Sequence, residues 1–331
     1  MRIAINGFGR IGRIFLRSIL AKPNIQVIAI NDLTDTATLA HLFKYDSVHR
    51  GFSGTVNFDA NNLYINDQKI KVLAQKNPND LPWKNLDIDL VIESTGKFAS
   101  RQGARQHLDA GAKQVIISAP ATDKDMPTVV LGVNDGKVDL HSPILSNASC
   151  TTNNVAAMVK IMDDNWGIVN GYITTVHSMT GDQSLHDAPH KDLRRARAAS
   201  ASIIPTTTGA AKAITAIFPH LDGKLGGAGI RVPVLNGSLT DFTCTLKSLP
   251  TVEEINLAFK QAADGAMQSV LEYTQDPIVS ADIIDNTHSC IFDAQLTSIV
   301  GDLVKVVGWY DNEVGYSSRL ADLVEKISLL K

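Results

Sequence analysis

Cysteine is scarce in this chain: among 331 residues, only Cys150, Cys244 and Cys290 occur. Their wide spacing supplies neither a disulfide framework nor the close ligand pairs of a zinc site, so no metal site is predicted. Long apolar runs are also missing, because no stretch reaches the roughly 18 apolar residues of a membrane span. The opening residues, MRIAINGFGR, lack the apolar core of a secretory signal. These absences predict a soluble protein of the reducing cytoplasm, without membrane insertion.

The chain has no large excess of charge. Its 31 Lys and Arg residues against 34 Asp and Glu residues give a formal net charge of -3, which provides no global attraction to nucleic acid or to an anionic membrane. A short basic run lies within residues 191–197, but such runs usually form solvated surfaces or ion pairs. We therefore do not expect nucleic acid as the primary partner.

Two patterns of strands and helices divide the sequence. The first half alternates helix-like segments with β-branched runs, namely RIAING, IQVIAIND, DLVIEST and KQVIISAP, which predicts an α/β domain with a parallel sheet. The later half has strand-like runs with few helices between them, namely GYITTVHS, RVPVLNGSLTDFTCTLKS and LVKVVGWYD. This favours an α+β domain on a mostly antiparallel sheet. We expect domains over residues 1–149 and 150–313, and a C-terminal helix over about 314–331 that packs with the first.

A glycine-rich turn follows the first predicted strand and precedes an apolar helical pattern. Gly7 would permit the tight turn, Gly9 would let a pyrophosphate approach the backbone, and Gly12 would allow the helix close to the sheet. The second strand ends at Asp32, whose carboxylate can bind an adenosine ribose and would repel the extra phosphate of NADP. The glycines could serve only a turn, but together with strand, helix and acid they favour a Rossmann-type site for NAD.

The segment SNASCTTNN places Cys150 among hydroxyl and amide side chains, just before an apolar helical face. That face comprises Val155, Met158, Val159 and Met162. Backbone amides at the helix start would stabilise a thiolate, which is the nucleophilic form of cysteine. The alternative is an ordinary buried thiol beside a capped turn. The polar flanks favour a nucleophile, whereas Cys244 and Cys290 are predicted to be structural.

A nucleophilic cysteine needs a base, and His177 follows the apolar run GYITTV. At the end of a strand its imidazole could reach the sheet edge and activate Cys150. The chain has nine histidines, and a single histidine is more often a surface or core residue. His186 and His190, in a polar loop, are weaker candidates. Spacing alone leaves the base unassigned.

Several long motifs occur along nearly the whole chain: INGFGRIGR, SNASCTTN, TTVHS, DLRRARAA, PTTTGAAKA and WYDNEVGYS. With them the sequence closely resembles the phosphorylating glyceraldehyde-3-phosphate dehydrogenases of the bacterial and eukaryotic type. The resemblance implies NAD-dependent oxidation of D-glyceraldehyde 3-phosphate, with inorganic phosphate, to 1,3-bisphosphoglycerate in glycolysis or gluconeogenesis. It implies Cys150 as the nucleophile that forms a hemithioacetal and then a thioester, His177 as its base, and a homotetramer as the assembly.

The same resemblance assigns further binding residues. For the cofactor it adds to the glycines and Asp32 the residues Arg10, Ile11, Lys76, Ser118 and Asn312. For the substrate and inorganic phosphate it implies Ser149, Thr151, Thr180, Arg195, Thr208, Gly209 and Arg231. Without the resemblance, residues 206–209 could be only a capped helix start and Arg231 only a surface charge.

Some positions depart from the family pattern, and two other functions stay open. Asn154 replaces a common cysteine, Lys76 replaces a common arginine, and VPVLNGS differs from the commoner VPTPNVS. An erythrose-4-phosphate dehydrogenase would use the same cysteine and histidine chemistry. A noncatalytic NAD-responsive binding protein would use only the cofactor site. The SMTGDQ segment, with Thr180 and Asp182, resembles the triose-phosphate enzyme, and Pro189 resembles the NAD-using relatives.

Overall fold

The computed structural model describes residues 1–330; Lys331, the end of the predicted C-terminal helix, lies outside the described residues. The chain divides into two compact units. Unit 1 contains residues 1–129, residues 135–148 and the chain from Leu320 onward. Unit 2 contains residues 130–134 and 149–319.

An eight-stranded sheet forms the centre of unit 1. Its strands are β1 (Arg2–Asn6), β2 (Gln26–Asn31), β3 (Val56–Phe58), β4 (Asn62–Ile65), β5 (Gln68–Leu73), β6 (Leu90–Glu93), β7 (Gln114–Ile117) and β8 (Ile144–Ser146). They lie in the order β3-β4-β5-β2-β1-β6-β7-β8. Along this order, the neighbouring strands pair in parallel from β5 through β2, β1, β6 and β7 to β8. The pairs β3 with β4 and β4 with β5 are antiparallel. The runs predicted as strands are β1, β2, β6 and β7, whose burial explains their β-branched composition.

Three helices of unit 1 are α1 (Arg10–Ile19), α2 (Thr36–Lys44) and α3 (Arg101–Asp109). Helices α1 and α3 form crossovers between parallel strands, as the alternating pattern predicts. Helix α1 begins after Gly9 and buries Ile14, Phe15, Leu16 and Ile19. The side chain of Ser100 caps α3 by accepting a hydrogen bond from the amide of Gly103, at 3.0 Å.

Unit 2 is built on a second, mostly antiparallel sheet. Its strands are β9 (Ile168–Ser178), β10 (Ile204–Thr206), β11 (Leu225–Val232), β12 (Ser238–Leu246), β13 (Leu271–Thr274), β14 (Cys290–Asp293), β15 (Ser298–Val300) and β16 (Leu303–Tyr310). The order is β10-β11-β9-β12-β16-β14-β13, and β15 pairs with β16. Only β9 with β11, and β13 with β14, pair in parallel among the described strands of this unit.

One run predicted as a single strand of unit 2 forms two strands. The run RVPVLNGSLTDFTCTLKS is not continuous, because β11 ends at Val232 and β12 begins at Ser238. Between them Gly237 has a φ of +87°, and a Cβ on it would lie 2.4 Å from the carbonyl oxygen of Ser280. The chain therefore turns at a position that only glycine can occupy without strain.

Unit 2 contains helices α4 (Cys150–Trp166), α5 (Ala210–Ile217) and α6 (Val252–Asp264), and α7 (Val314–Leu329) begins in it and ends in unit 1. Nearly all side chains from Thr151 to Met162 of α4 are buried, and α4 packs against β12, β14 and β16. The apolar face predicted after Cys150 is therefore a buried core helix. None of the helices within residues 1–330 combines the length and apolar character that a membrane span requires.

Candidate active site

The glycine turn of unit 1 has the geometry of a pyrophosphate-binding turn. Gly7 has a φ of +93°, and a Cβ on it would lie 2.7 Å from the amide nitrogen of Thr95. A Cβ on Gly12 would lie 2.3 Å from the carbonyl oxygen of Gly7, so any side chain there would force α1 away from β1. A Cβ on Gly9 would meet no atom within 4 Å. The turn is tight, the helix is close, and Gly9 is open, which suits a dinucleotide.

Two further predicted cofactor residues lie at the same edge of the sheet. Asp32 follows β2, and its carboxylate accepts hydrogen bonds from the amides of Phe8, at 2.8 Å, and Thr34, at 3.0 Å. Ser118 follows β7, and its amide donates to the carbonyl of Glu93 at 2.9 Å. This is the carboxyl edge of the parallel strands, where α/β sheets bind their ligands.

The remaining predicted cofactor residues of unit 1 differ in their surroundings. Arg10, in the first turn of α1, forms an ion pair with Asp46, with 2.5 Å between Nη1 and Oδ2. Burial opposes ionisation of Asp46, but the amide of His49 and the guanidinium of Arg10 lower its pKa to about 2. Ile11 is half-buried beside Arg10, and Lys76 is exposed in the loop after β5.

Cys150 and His177 lie together in unit 2. Cys150 is the first residue of α4, and the cap Ser149 accepts a hydrogen bond from the amide of Thr152 at 3.0 Å. His177 is the penultimate residue of β9. Its Nε2 lies 3.5 Å from Sγ of Cys150, within reach for proton transfer. Cys150 keeps partial access to solvent, whereas Cys244 and Cys290 are buried.

Burial controls the protonation of this pair. Burial, followed by the positive charge of Arg231, lowers the pKa of His177 to about 3. Burial also raises the pKa of the Cys150 thiol, although Arg231 and hydrogen bonds from Thr151 act in the opposite direction. Both shifts favour a neutral thiol beside a neutral imidazole. The expected helix position of Cys150 is present, but desolvation outweighs the stabilisation that the helix start gives to a thiolate.

Arg231 lies directly behind His177. The two residues are register partners on the parallel strands β11 and β9, and Nη1 of Arg231 lies 2.7 Å from Nδ1 of His177. The same Nη1 donates to the carbonyl of Ser178 at 3.1 Å, and that carbonyl lies 2.8 Å from Nδ1. A guanidinium can only donate, so Nδ1 either accepts from Arg231 or, when it carries the proton, donates to Ser178. Only the tautomer with the proton on Nδ1 leaves the lone pair of Nε2 for Cys150.

A second polar cluster surrounds Arg195, and it contains Thr180. Nη1 of Arg195 donates to Asp182 at 2.7 Å, and its Nε donates to the hydroxyl of Thr206 at 2.9 Å. The hydroxyl of Thr180 donates to the other carboxylate oxygen of Asp182. Burial raises the pKa of Asp182, but the Thr180 hydrogen bond and the charges of Arg231 and Arg195 together lower it. Two cations and a hydroxyl in one cluster suit an anion.

The other predicted phosphate residues occupy helix starts. Ser149 and Thr151 flank Cys150 at the start of α4, and Gly209 precedes α5. The hydroxyl of Thr208 accepts a hydrogen bond from the amide of Ala210 at 3.2 Å. Residues 206–209 thus form a capped helix start, and the same segment suits a phosphate subsite, since a helix start offers backbone amides to an anion.

Asn312, the remaining predicted cofactor residue, is buried in unit 2. Its Oδ1 accepts hydrogen bonds from the hydroxyls of Ser178, at 2.8 Å, and Ser238, at 2.9 Å. These two bonds fix the amide plane and leave the Nδ2 group as the donor side of the amide.

The competing cysteines and histidines have different environments. Burial raises the pKa of Cys244 to about 12 and also raises that of Cys290, so both thiols are unreactive near neutral pH. Nδ1 of His190 hydrogen-bonds to the backbone of Asp192, and His186 is exposed.

Sequence reasoning did not identify Tyr310 as a site residue. Its hydroxyl lies 2.9 Å from the hydroxyls of both Thr151 and Thr175, and its ring meets the ring of His177 edge-on, with 5.9 Å between centroids. The only signal was its place in the WYDNEVGYS motif, two residues before Asn312. Tyr310 thus links the start of α4 to β9, the two elements that carry Cys150 and His177.

Comparison with known proteins covers most of the chain. Residues 1–101 match the family domain described as glyceraldehyde 3-phosphate dehydrogenase, NAD binding domain. Residues 149–312 match the family domain described as glyceraldehyde 3-phosphate dehydrogenase, C-terminal domain.

Individual relatives match over nearly their full length. The glyceraldehyde-3-phosphate dehydrogenase of Mycobacterium avium is 54% identical over 331 residues, covering 98% of this chain and 97% of the relative. That of Geobacillus stearothermophilus is 51% identical over 330 residues, covering 99% and 98%. Glyceraldehyde-3-phosphate dehydrogenase 2 of Streptomyces avermitilis is 52% identical over 326 residues, covering 98% and 97%. These matches confirm the predicted fold class, an NAD-dependent oxidoreductase and NAD as its cofactor. The chain belongs to the glyceraldehyde-3-phosphate dehydrogenase family.

Proposed function

We propose that this chain oxidises D-glyceraldehyde 3-phosphate to 1,3-bisphosphoglycerate, with NAD and inorganic phosphate, in glycolysis or gluconeogenesis. In this proposal, residues 1–149 form the dinucleotide-binding domain, with the helix from about residue 314 packing on it, and residues 150–313 form the catalytic domain. The observation that carries the proposal is the contact of 3.5 Å between Sγ of Cys150 and Nε2 of His177 at the start of α4. A thiol, a neutral base and helix amides are the groups that covalent aldehyde oxidation requires.

The cofactor would bind at the carboxyl edge of the sheet in unit 1. The tight turn at Gly7, the open backbone at Gly9 and the close helix at Gly12 fit a pyrophosphate. Arg10, Ile11, Asp32, Lys76 and Ser118 are the proposed contacts at this edge, and Asn312 is proposed to bind the nicotinamide amide. When bound, NAD supplies a two-electron acceptor that takes a hydride from the substrate carbon.

His177 would move the proton at each stage. Its Nε2 takes the thiol proton as Sγ of Cys150 bonds to the aldehyde carbon, and returns it to the new oxyanion, which gives the hemithioacetal. It takes the hydroxyl proton again as the hydride leaves, and a thioester remains on Sγ. Burial and the neighbouring charge of Arg231 make a protonated His177 strongly acidic, so it releases this proton to solvent. An oxygen of hydrogen phosphate then attacks the thioester carbon, the carbon–sulfur bond breaks, and the proton that the phosphate loses returns to Sγ of Cys150.

Two anion subsites would hold the substrate phosphate and the inorganic phosphate. We assign one to Ser149, Thr151, Thr208 and Gly209, and the other to Thr180 and Arg231 with Arg195. The first offers helix-start amides and hydroxyls, and the second offers the guanidinium of Arg195, held by Asp182, and that of Arg231, held by the carbonyl of Ser178.

We further propose a homotetramer in the cytoplasm. Large apolar side chains are exposed along residues 178–203: Leu185, Leu193 and Ile203 are 70%, 80% and 71% exposed. Apolar side chains gathered on one segment mark a protein contact surface. The three cysteines are free thiols, which suits a reducing compartment.

A steady-state assay tests the proposed reaction. NADH formation is followed with glyceraldehyde 3-phosphate, with and without inorganic phosphate, for the wild type and for Cys150→Ser. The wild type should form NADH in a phosphate-dependent way, and Cys150→Ser should be inactive while binding NAD normally. Faster turnover of erythrose 4-phosphate at equal concentration would reassign the substrate. An inactive wild type that binds NAD tightly would show a binding protein instead.

A further inference from the structure

We propose that a buried row of side chains in unit 1 keeps the dinucleotide-binding edge in its binding shape, with Glu93 as the central positioning residue. The row consists of Asn31, Asn6, Glu93 and His107, and is called the polar row below. The inference rests on the proposed NAD site at the Gly7 turn, and it concerns residues that do not themselves form the turn.

The first three members of the polar row lie on one rung of the sheet. Asn31, Asn6 and Glu93 are the last residues of β2, β1 and β6, and Asn6 is the register partner of both others. Nδ2 of Asn31 donates to Oδ1 of Asn6 at 2.7 Å, and Nδ2 of Asn6 donates to Oε2 of Glu93 at 2.6 Å. The exposed fractions of Asn31, Asn6 and Glu93 are 5%, 1% and 2%. The row therefore ties the ends of three parallel strands together inside the protein.

His107, on α3, completes the row, and Trp83 decides its tautomer. Nε1 of Trp83 donates to Nδ1 of His107 at 3.0 Å. An indole nitrogen can only donate, so Nδ1 carries no proton and Nε2 carries the one of the neutral ring. Nε2 lies 3.0 Å from Oε2 of Glu93 and donates to it. His107 therefore contributes a hydrogen bond to Glu93 but no positive charge.

The other oxygen of Glu93 holds the loop after β6. Oε1 accepts hydrogen bonds from the amide of Thr95, at 2.8 Å, and from its hydroxyl. Counting both oxygens, Glu93 receives only donors, which suits a carboxylate rather than a carboxylic acid. Its partners are neutral, so the buried negative charge is stable only while each donor keeps its position.

That loop supports the proposed pyrophosphate turn. The hydroxyl of Ser94 donates to the carbonyl of Gly7 at 2.6 Å, and the backbone of Thr95 occupies the space that a Cβ on Gly7 would need. A displaced Thr95 would therefore displace Gly7. At the other end of the row, Asn31 exchanges hydrogen bonds of 2.8 and 2.9 Å with the backbone of Gln75. A turn held in place beforehand loses less free energy to reorganisation when a ligand binds.

Glu93→Gln tests the inference, with Gln114→Glu as the matched control. The first change places an amide donor among the donors that face Glu93. The second replaces an amide by a carboxylate at a buried site at the amino end of β7. There Nε2 of Gln114 donates to the carbonyls of Leu140 and Ser142 at 2.7 and 2.9 Å. The thermal midpoint and the Kd for NAD of the full-length protein are measured by calorimetry for all three forms.

Both variants should lower the thermal midpoint, but only Glu93→Gln should raise the Kd for NAD, by about tenfold. An equal rise of the Kd in both variants would show that the polar row affects NAD binding only through the general stability of the protein, and this would overturn the inference. If the wild type binds NAD and Glu93→Gln has the same Kd, the inference is overturned but the proposed function is not. A wild type that fails to bind NAD would overturn the proposed function and the inference together.

Trp83→Phe provides a second variant if Glu93→Gln does not fold. It keeps an aromatic ring but removes the donor that fixes the tautomer of His107. We expect the Kd for NAD to rise severalfold, while the rate of Cys150 alkylation in unit 2 stays at the wild-type value. An unchanged Kd in Trp83→Phe would likewise overturn the inference. Nitrogen-15 NMR of His107 in the wild type should find Nδ1 without a proton, and a protonated Nδ1 would contradict the assigned hydrogen bonds.

Discussion

Arg231 and His177 face each other on adjacent parallel strands, with 2.7 Å between Nη1 and Nδ1. A permanent cation at this position has two effects on the catalytic pair. Burial lowers the pKa of His177, and Arg231 lowers it further. Burial raises the pKa of Cys150, and Arg231 opposes that rise. One arginine thus helps to keep the base neutral and makes the nucleophile easier to ionise.

Removal of this cation should change the reactivity of Cys150. In Arg231→Leu, the pKa of Cys150 should rise further, because the largest opposing effect on it is lost. A higher pKa moves the appearance of thiolate to higher pH, so alkylation by neutral iodoacetamide should be slower at pH 8 and its pH profile should shift upward. The exposed Arg197, which pairs with Asp187, supplies the control Arg197→Leu. A profile that is the same in all three proteins would contradict the assigned effect.

Replacement of the base should slow the chemical step. His177→Asn should lower kcat by roughly 10²- to 10⁴-fold, the range of general acid–base catalysis, while the Kd for NAD stays constant. His190→Asn is the control in the same unit. A loss of tenfold or less in His177→Asn, at saturating substrate, would exclude His177 as the base.

The pH dependence of the wild type follows from the same residue. Since the pKa of His177 is lowered to about 3, the imidazole stays unprotonated at any pH well above that value. The kcat/KM of the free enzyme should therefore show no acidic inflection from His177 between about pH 5 and pH 7. An inflection in this range that disappears in His177→Asn would show that burial shifts the pKa less than described.

Tyr310 should matter for both stability and rate. Tyr310→Phe removes a hydroxyl shared by Thr151 and Thr175 and leaves two buried hydroxyls with fewer partners. The free energy of unfolding should fall by about 1–3 kcal/mol, and kcat should fall because α4 and β9 lose their link. The exposed Tyr172 gives the control Tyr172→Phe. Equal stability of Tyr310→Phe and wild type in urea denaturation would contradict the structural link.

Asp32 should govern the choice of cofactor. In Asp32→Ala the ribose acceptor and the partner of the Phe8 amide are lost, so the KM for NAD should rise about tenfold. The repulsion of the extra phosphate is also lost, so the preference for NAD over NADP should narrow. Asp67→Ala, at an exposed position of the same unit, is the control. Unchanged discrimination between the cofactors would remove Asp32 from the ribose site.

Local signals in the sequence were enough to predict the framework. The β-branched runs predicted β1, β2, β6 and β7 because buried parallel strands require such side chains. The glycine spacing predicted the tight turn at Gly7 because no other residue fits there. The strands β3 to β5 were not predicted, because they are short and carry polar or exposed residues.

The environment of the site depends on contacts between distant parts of the chain. Tyr310 and Thr151 meet across 159 positions, and no periodic pattern encodes that contact. The balance of effects on the pKa of Cys150 has the same origin. The helix start that stabilises Cys150 is a local feature, whereas the burial that raises its pKa comes from the whole unit.

Cys150 is the first residue of a helix that is buried in the core of unit 2, so changes to that core also affect the nucleophile. A Cβ on Gly308, in β16, would lie 2.7 Å from Sγ of Cys290 and 3.0 Å from Sδ of Met158, which belongs to α4. Attempts to raise heat resistance by enlarging this core would therefore move the helix that bears the nucleophile. Enlarged variants should be screened for turnover as well as for melting temperature, because a tighter interior and a faster catalyst are separate goals here.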